Sequence, residues 1–515
     1  MSKRVRQLVT GLAAIATVAT IACITAPTAA SADPGISFSE TWHDNPSTSG
    51  SFQYGSPGVA ELSRAITGSN PDGLSVVIGN SAGKIYAYNL ADGTQVSGWP
   101  VEADAAIFST PSVIGADSNV RLFFGVGSSA DARKGGFLAL NGDGTKAWSA
   151  TTPSELTPGS HTVGTMASLA VGPLQSSDDV IGGAMGQMQL EVSASTGKTR
   201  SGFPWLEADT NFSTPAIANI KGGKTNYIIE GGDSTAGRAL YQTYSNGGHI
   251  RVLHPTGYQG SPDQNNGLVC QYNTNQVVQS APAVGPFLSR GGMGIVTGTN
   301  TFYSGASDTD KLIAINSSCK KVWSKSLDGV SWPSPALADL QGNGKLDVVT
   351  QSQSGTVYAL NGADGSTIWT DHLGGSSWGS VTTFQAPGAD FQYVLVPTDN
   401  GVQVLDGRDG SVVTTLGNGE NSDGYIGRDR NSATVTADPN GSIGITIAGG
   451  DSIVHYEVDG TSGITSVQTP GAWPMYHHDP QLTGFTGGST SGNVPTKPAK
   501  ECASTGVTRN PDCIG

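Results

Sequence analysis

Charge is scarce in this chain. Only 13% of its 515 residues are charged, and acids outnumber bases 41 to 27, for a formal net charge of −14. A sparse, acidic surface lacks the basic footprint that a phosphate backbone requires, which excludes nucleic acid as a partner. Long apolar runs are also missing. The one candidate, Gly11 to Thr25, is short of the roughly 20 residues a membrane span needs. Helical heptads are excluded by 72 glycines and by the lack of Ala/Glu/Lys/Leu-rich runs. The chain has no HExxH, GxSxG or P-loop pattern. It has no CxxC, CxxCH or adjacent cysteine pair either, so zinc–thiolate sites and c-type haem find no support.

What is present begins with a leader. Lys3, Arg4 and Arg6 precede a stretch of small apolar residues, and Ala30-Ser31-Ala32 supplies a small-x-small cleavage site. Residues 1–32 are therefore expected to be a secretory signal, with lipid attachment at Cys23 as the rival reading. Four cysteines remain beyond it: Cys270, Cys319, Cys502 and Cys513. An even number suits disulfides in an oxidising compartment. Pairing by region joins Cys270 to Cys319 and Cys502 to Cys513, but three connectivities are possible.

Internal repetition is the strongest signal. One unit reads strand–turn–strand, as in Gly83–Trp99, Gly136–Trp148, Gly355–Trp369 and Gly401–Val413. Alternating side chains enter a turn with Asp or Asn and Gly, and a second strand follows. A second unit precedes it: Ser109, Ser213, Ser280 and Pro333 open Ser/Thr-and-Pro motifs that each lead to two apolar runs. Together they predict an all-β fold, a β-propeller of eight four-stranded blades over residues 33–486, with seven as the alternative. Residues 33–51 are expected to lend a strand to the last blade. Residues 487–500 read as a linker and 501–515 as a cysteine-containing tail.

The run Ala359–Trp369 resembles the repeat of the pyrroloquinoline-quinone-like (PQQ-like) β-propellers. The resemblance implies that Gly365 and Trp369 dock neighbouring blades. Trp148 and Trp323 match the tryptophan position, whereas Thr414 stands where it should be in the copy at Gly401. Ala336–Val349 resembles an FG-GAP blade. Gly471–Gly484 resembles the closing segment of secreted bacterial propellers, with Asp479 and Thr483-Gly484 at its marked positions.

Three groups are candidate sites. Asp339, Gln341, Asn343, the Lys345 carbonyl and Asp347 alternate around Gly344 and are a candidate Ca²⁺ loop; the bland alternative is a plain β-turn. Tyr476, His477, His478 and Asp479 form the densest polar–aromatic cluster. Imidazoles there suit a base or ligand, but chain closure favours side chains that hydrogen-bond the joint between the first and last blades. Trp332 and Trp378 occupy comparable blade-edge positions, as binding anchors or as blade packing.

No concentrated catalytic constellation appears, so the reading is a secreted, non-catalytic propeller that binds a glycan or an extracellular protein. The alternative is a polysaccharide lyase or hydrolase, which requires His161, His249 or His372 to meet an acid at the central pocket. The resemblance also implies a quinone-dependent dehydrogenase; the missing adjacent cysteines and haem motif and the short chain argue against PQQ.

Overall fold

Short apolar runs become strands here because each is stopped by a glycine-, asparagine- or aspartate-bearing turn before helical periodicity can develop. The computed structural model describes residues 36–46, 50–129, 133–151, 163–185, 188–206, 211–233, 247–257, 267–303, 305–375, 378–417 and 431–487. Its strands form eight four-stranded antiparallel sheets, and among the described residues only short 3₁₀ turns accompany them. The leader 1–32, Cys23, His161, the linker beyond Gly487 and the Cys502/Cys513 tail lie outside the described residues.

Seven blades are contiguous in sequence. Their innermost strands are Gly58–Glu61, Ser112–Ile114, Ala170–Pro173, Ala216–Ala218, Ala283–Leu288, Ala336–Ala338 and Thr382–Phe384, which number blades 1 to 7. Blade 8 starts at Thr434–Ala437 and takes its outermost strand, Phe38–Asp44, from the start of the chain. That strand pairs antiparallel with Ser452–Val458. Joining the two ends of the chain in one sheet closes the ring without leaving an open edge.

Four of the eight seams between blades follow one rule: an outer-strand aromatic lies on a turn glycine of the next blade. Trp323 covers Gly365, and Trp369 covers Gly410. Each indole N–H also donates to a carbonyl of the same turn, Trp323 to Gly362 O (2.9 Å) and Trp369 to Gly407 O (2.7 Å). Gly365 has φ +72°, and a Cβ there would fall 2.7 Å from the Trp323 ring. Only glycine satisfies both the left-handed backbone and the contact. Trp148 on Gly197 and Trp42 on Gly93 repeat the arrangement, the latter between blades 8 and 1. Between blades 3 and 4 the Gly202 backbone and the Phe203 ring meet Gly257, and between blades 1 and 2 Val101, Gly98 and Trp99 meet Gly144.

In two seams the slot holds no aromatic. Trp148, Trp323 and Trp369 pair across their sheets with Ala139, Ala314 and Ala359, each just before a bulge. Cys270 occupies that slot in blade 4, opposite Val252. Cys319, with φ +57°, stands at the receiving turn of blade 5. The Cys270–Cys319 disulfide thus replaces the aromatic-on-glycine contact with a covalent link. In blade 7 the slot holds Thr414, opposite Val404. Gly460 of blade 8 meets nothing within 4 Å, and the seam opens as a groove of about 500 Å³ beside Phe38, Val413 and Tyr456.

The seam rule makes a direct prediction. Reducing Cys270–Cys319 in the native chain should cost about 2–4 kcal/mol, because a 49-residue separation is released in the unfolded state. The double substitution Cys270→Trp/Cys319→Gly should fold and show a denaturation midpoint indifferent to dithiothreitol. A double variant no more stable than Cys270→Ala/Cys319→Gly would show that the two seams are not equivalent.

Candidate functional site

The repeat places one side chain per blade at the mouth of the central axis, one residue ahead of each innermost-strand Ser/Thr motif. In chain order the described ones are Tyr54, Phe108, Met166, Phe212, Gln279, Trp332 and Trp378. Two residues further on comes a hydroxyl in most blades. These hydroxyls form a relay around the axis. The backbone N–H of Ser56 donates to Thr110 Oγ1 (2.8 Å), Thr110 N–H to Ser168 Oγ (2.8 Å), and Ala281 N–H to Ser334 Oγ (2.9 Å). Ser334 N–H reaches Ser380 Oγ (2.8 Å), Ser380 N–H reaches Ser432 Oγ (2.8 Å), and Ser432 N–H returns to Ser56 Oγ (3.0 Å). Each bond satisfies a buried donor of one blade with an acceptor of the next, so the hydroxyls set blade spacing at the axis.

Above the relay the aromatic side chains form an arc. Phe108 meets Tyr54 edge-on at 5.2 Å, and Tyr54 meets Trp378 at 5.2 Å. Trp378 meets Trp332 at 4.8 Å, and Trp332 meets Phe212 at 6.2 Å. Edge-to-face geometry leaves ring faces open rather than stacked shut. Trp378 is 39% and Tyr54 40% exposed, against 9% or less for the seven tryptophans outside this arc. Tyr54 has φ +63°, a conformation costing roughly 1–3 kcal/mol in a non-glycine residue and typical of sites where a side chain must be aimed.

The arc rims a cavity of about 240 Å³. Tyr476 is its floor: the phenol exchanges a hydrogen bond with Thr214 Oγ1 (2.8 Å) and also bonds Ser334 and Ser168. Burial pushes its phenol above the ordinary range, and those hydroxyls oppose the shift. No charged side chain is among the described lining residues.

Tyr476 belongs to a closing segment that does more than join two blades. Carbonyls of Gly471, Trp473, Pro474, Pro480, Gln481, Thr483 and Gly484 accept N–H groups of Asp339, Thr383, Val435, Val113, Val171, Ile217 and Val284. These donors come from seven different blades, so the segment circles the axis below the cavity. His477, His478 and Leu482 all hold positive φ within it. Asp479 secures the turn by accepting the Thr483 N–H (3.0 Å) and hydroxyl.

The expected site residues therefore separate. Trp332, Trp378 and Tyr476 line one cavity. His477 is buried beneath it, with Nδ1 2.6 Å from Leu482 O and Nε2 3.1 Å from Pro282 O. Burial holds its imidazole down at about 4. His478 leans on Trp473 and faces Asp479 at 3.2 Å. The reading of this cluster as the joint of first and last blades gives way to an axial floor. Tyr54, Phe108 and Phe212 were missed, although each precedes a Ser/Thr–Pro motif by the same offset as Trp332.

The Asp339–Asp347 loop lies at the opposite end of the innermost strand from the cavity. Asp339 accepts the Asn343 N–H (2.9 Å) and Gly344 N–H (2.8 Å), and Asn343 Oδ1 accepts the Lys345 N–H (3.0 Å). Asn343 donates to Gln341 (3.3 Å). Asp347 is buried, and desolvation with the nearby Asp339 charge raises its carboxyl to about 7. Among the described residues no cluster of three or more His, Cys, Asp or Glu is arranged to hold a metal.

None of the remaining described histidines lines the cavity. His249 sits 3.3 Å from Glu230, with Arg251 3.5 Å from the same oxygen, all buried inside blade 4. His372 shares a hydrogen bond with Thr356 on an outer strand.

Comparison with known proteins agrees with the architecture. Residues 248–464 match the family described as outer membrane protein assembly factor BamB. BamB from Moraxella catarrhalis superposes with a TM-score of 0.51 at 14% identity, covering 82% of this chain and 100% of that one. The V. cholerae biofilm matrix protein Bap1 gives 0.46 at 12% identity, covering 86% and 94%. No curated protein matches the chain. The chain is thus an eight-bladed β-propeller, and its residues 248–464 carry the match to that family. At 14% identity the Moraxella catarrhalis structure supports the fold alone. No helix among the described residues is long and apolar enough to cross a membrane.

One buried acid gives the site's surroundings a measurable pH signature. Glu191 is fully buried between blades 3 and 4; it accepts a bond from Gln175 (3.0 Å), and burial with the Asp179 charge raises its carboxyl to about 9. The native state then holds a proton that the unfolded state loses above its ordinary carboxylate pKa. Its stabilising contribution is full below that pKa and declines as pH rises towards 9. From pH 7 to 9 this loss should approach about 1.4 kcal/mol per unit, and Glu191→Gln should remove it in urea denaturation across that range.

Proposed function

We propose that this protein is a secreted, non-catalytic binding protein whose axial cavity takes the end of a neutral glycan. The observation that carries the reading is the arc of five aromatic side chains around a cavity whose described lining carries no charge. Sugar rings present C–H faces that pack on aromatic rings and hydroxyls that pair with Ser, Thr, Gln and Tyr groups. Both kinds of partner converge here. Trp378 and Tyr54 are the exposed anchors; Gln279 and the Tyr476 phenol are polar wall and floor.

Competing occupants fit less well. The carboxylates of a pyrroloquinoline quinone need cationic partners, and the described lining supplies none. Hydrolysis or elimination needs an acid–base group within hydrogen-bond reach of the bound sugar. The described histidine–acid pairs are in blade interiors, on the outermost strand of blade 8 and in the closing turn instead. A protein partner is the second reading, supported by the match of residues 248–464 to an assembly factor family. Secretion is supported by the leader-like residues 1–32 and by the Cys270–Cys319 disulfide, which suits an oxidising compartment. Calcium at Asp339–Asp347 would be structural, since that loop is at the far end of the strand from the cavity.

The test is a glycan array probed with the purified full chain, with and without EDTA, beside Trp378→Ala. Neutral glycans should be retained in both buffers, and the substitution should weaken binding at least about tenfold. Retention of no neutral glycan, or equal retention by Trp378→Ala, would overturn the reading.

A further inference from the structure

Phe302 is 66% exposed, the most exposed of the large apolar side chains among the described residues. It stands on the hairpin between Gly292–Gly298 and Lys311–Asn316 of blade 5. Gly292–Gly298 runs antiparallel to the innermost Ala283–Leu288, so this hairpin returns to the face where Gln279 enters the axis. The loop and the cavity are joined: Asn300 Nδ2 donates to Gln279 Oε1 at 2.7 Å, and Gln279 lines the cavity. Phe302 follows Asn300 by two residues, a reach of at most about 7 Å along the backbone.

An exposed phenylalanine on a loose loop would mean little, but this loop is pinned. The buried Gln276 accepts the N–H groups of Phe302 (2.8 Å) and Tyr303 (2.9 Å) on one amide oxygen. Its amide nitrogen donates to Tyr303 O (2.5 Å) and Thr309 Oγ1 (2.9 Å). Tyr303 meets Phe302 edge-on at 5.0 Å and reaches Asp233 on the rim of blade 4 (3.3 Å). A ring held at the rim by buried hydrogen bonds, with its apolar face in water, is pre-organised for a contact the chain itself does not make.

Resting on the glycan reading above, we propose that Phe302 and Tyr303 form a second subsite, so that the ligand is an oligosaccharide running from the axial cavity across Gln279 and Asn300 onto blade 5. The cavity then holds the terminal residue, and Phe302 stacks on a residue further along the chain.

The experiment measures affinity against chain length for the full protein. Neutral gluco-oligosaccharides and N-acetylglucosamine oligosaccharides of one to six residues are the probes, with the monosaccharides followed by saturation-transfer NMR and the longer chains by calorimetry. Wild type should gain about fivefold to tenfold in affinity when the chain grows long enough to reach Phe302. Phe302→Ala should lose that gain and keep monosaccharide binding, whereas Trp378→Ala should lose binding at every length. A length dependence unchanged in Phe302→Ala overturns the second subsite and leaves the axial site standing. Absence of binding by wild type at every length overturns both.

Discussion

An outer-strand aromatic resting on a left-handed glycine of the next blade is the contact on which this structure depends. A four-stranded sheet has two apolar faces and cannot bury either alone. The seam contact fixes how neighbouring sheets meet: the ring fills the space a Cβ would need, and the indole N–H is satisfied by the same turn. Because the turn glycine is conformationally necessary and sterically necessary at once, either half is intolerant of change. The covalent version at Cys270–Cys319 and the open version at Thr414 are two departures from that rule. The first locks blades 4 and 5; the second leaves a groove between blades 7 and 8, next to the strand that closes the ring.

The axis is organised by weaker but more numerous bonds. Backbone N–H groups pass from blade to blade onto Ser and Thr hydroxyls, and the closing segment accepts N–H groups from seven blades. Strain at Tyr54, His477 and His478 is held within that framework. Rigidity at the axis is what allows aromatic side chains to stand at its mouth without collapsing onto one another. Their edge-to-face spacing near 5 Å and the exposure of Trp378 and Tyr54 follow from blade geometry, not from loop sequence.

The blades were legible because their cues are local. Turn glycines, two-residue alternation and the Trp at a fixed offset recur within some fifteen residues, and eight blades and the N-terminal strand exchange follow from them. The disulfide was legible only as one of three pairings. What makes it meaningful, that Cys270 holds the tryptophan slot and Cys319 the turn position, needs strand register. The site was half visible. Trp332 and Trp378 were noticed as similar, yet Phe108 and Phe212 share their offset and were passed over, because the motifs were taken to open at Ser109 and Ser213. Convergence of five side chains spread over more than 300 residues is a property of ring closure, which no local window contains. His477 and His478 were read chiefly as structural, and their contacts with Pro282, Leu482 and Trp473 place them outside the cavity lining.

Tryptophan fluorescence tests the central claim most directly. Of nine tryptophans, Trp332 and Trp378 alone escape burial, and both line the axial cavity. Acrylamide should therefore quench a small fraction of the emission, a fraction lost in Trp332→Phe/Trp378→Phe. The neutral oligosaccharide that scores highest on the array should shield that fraction in a saturable way. Binding of that oligosaccharide with quenching unchanged would contradict the account, because the ligand would then lie elsewhere on the propeller.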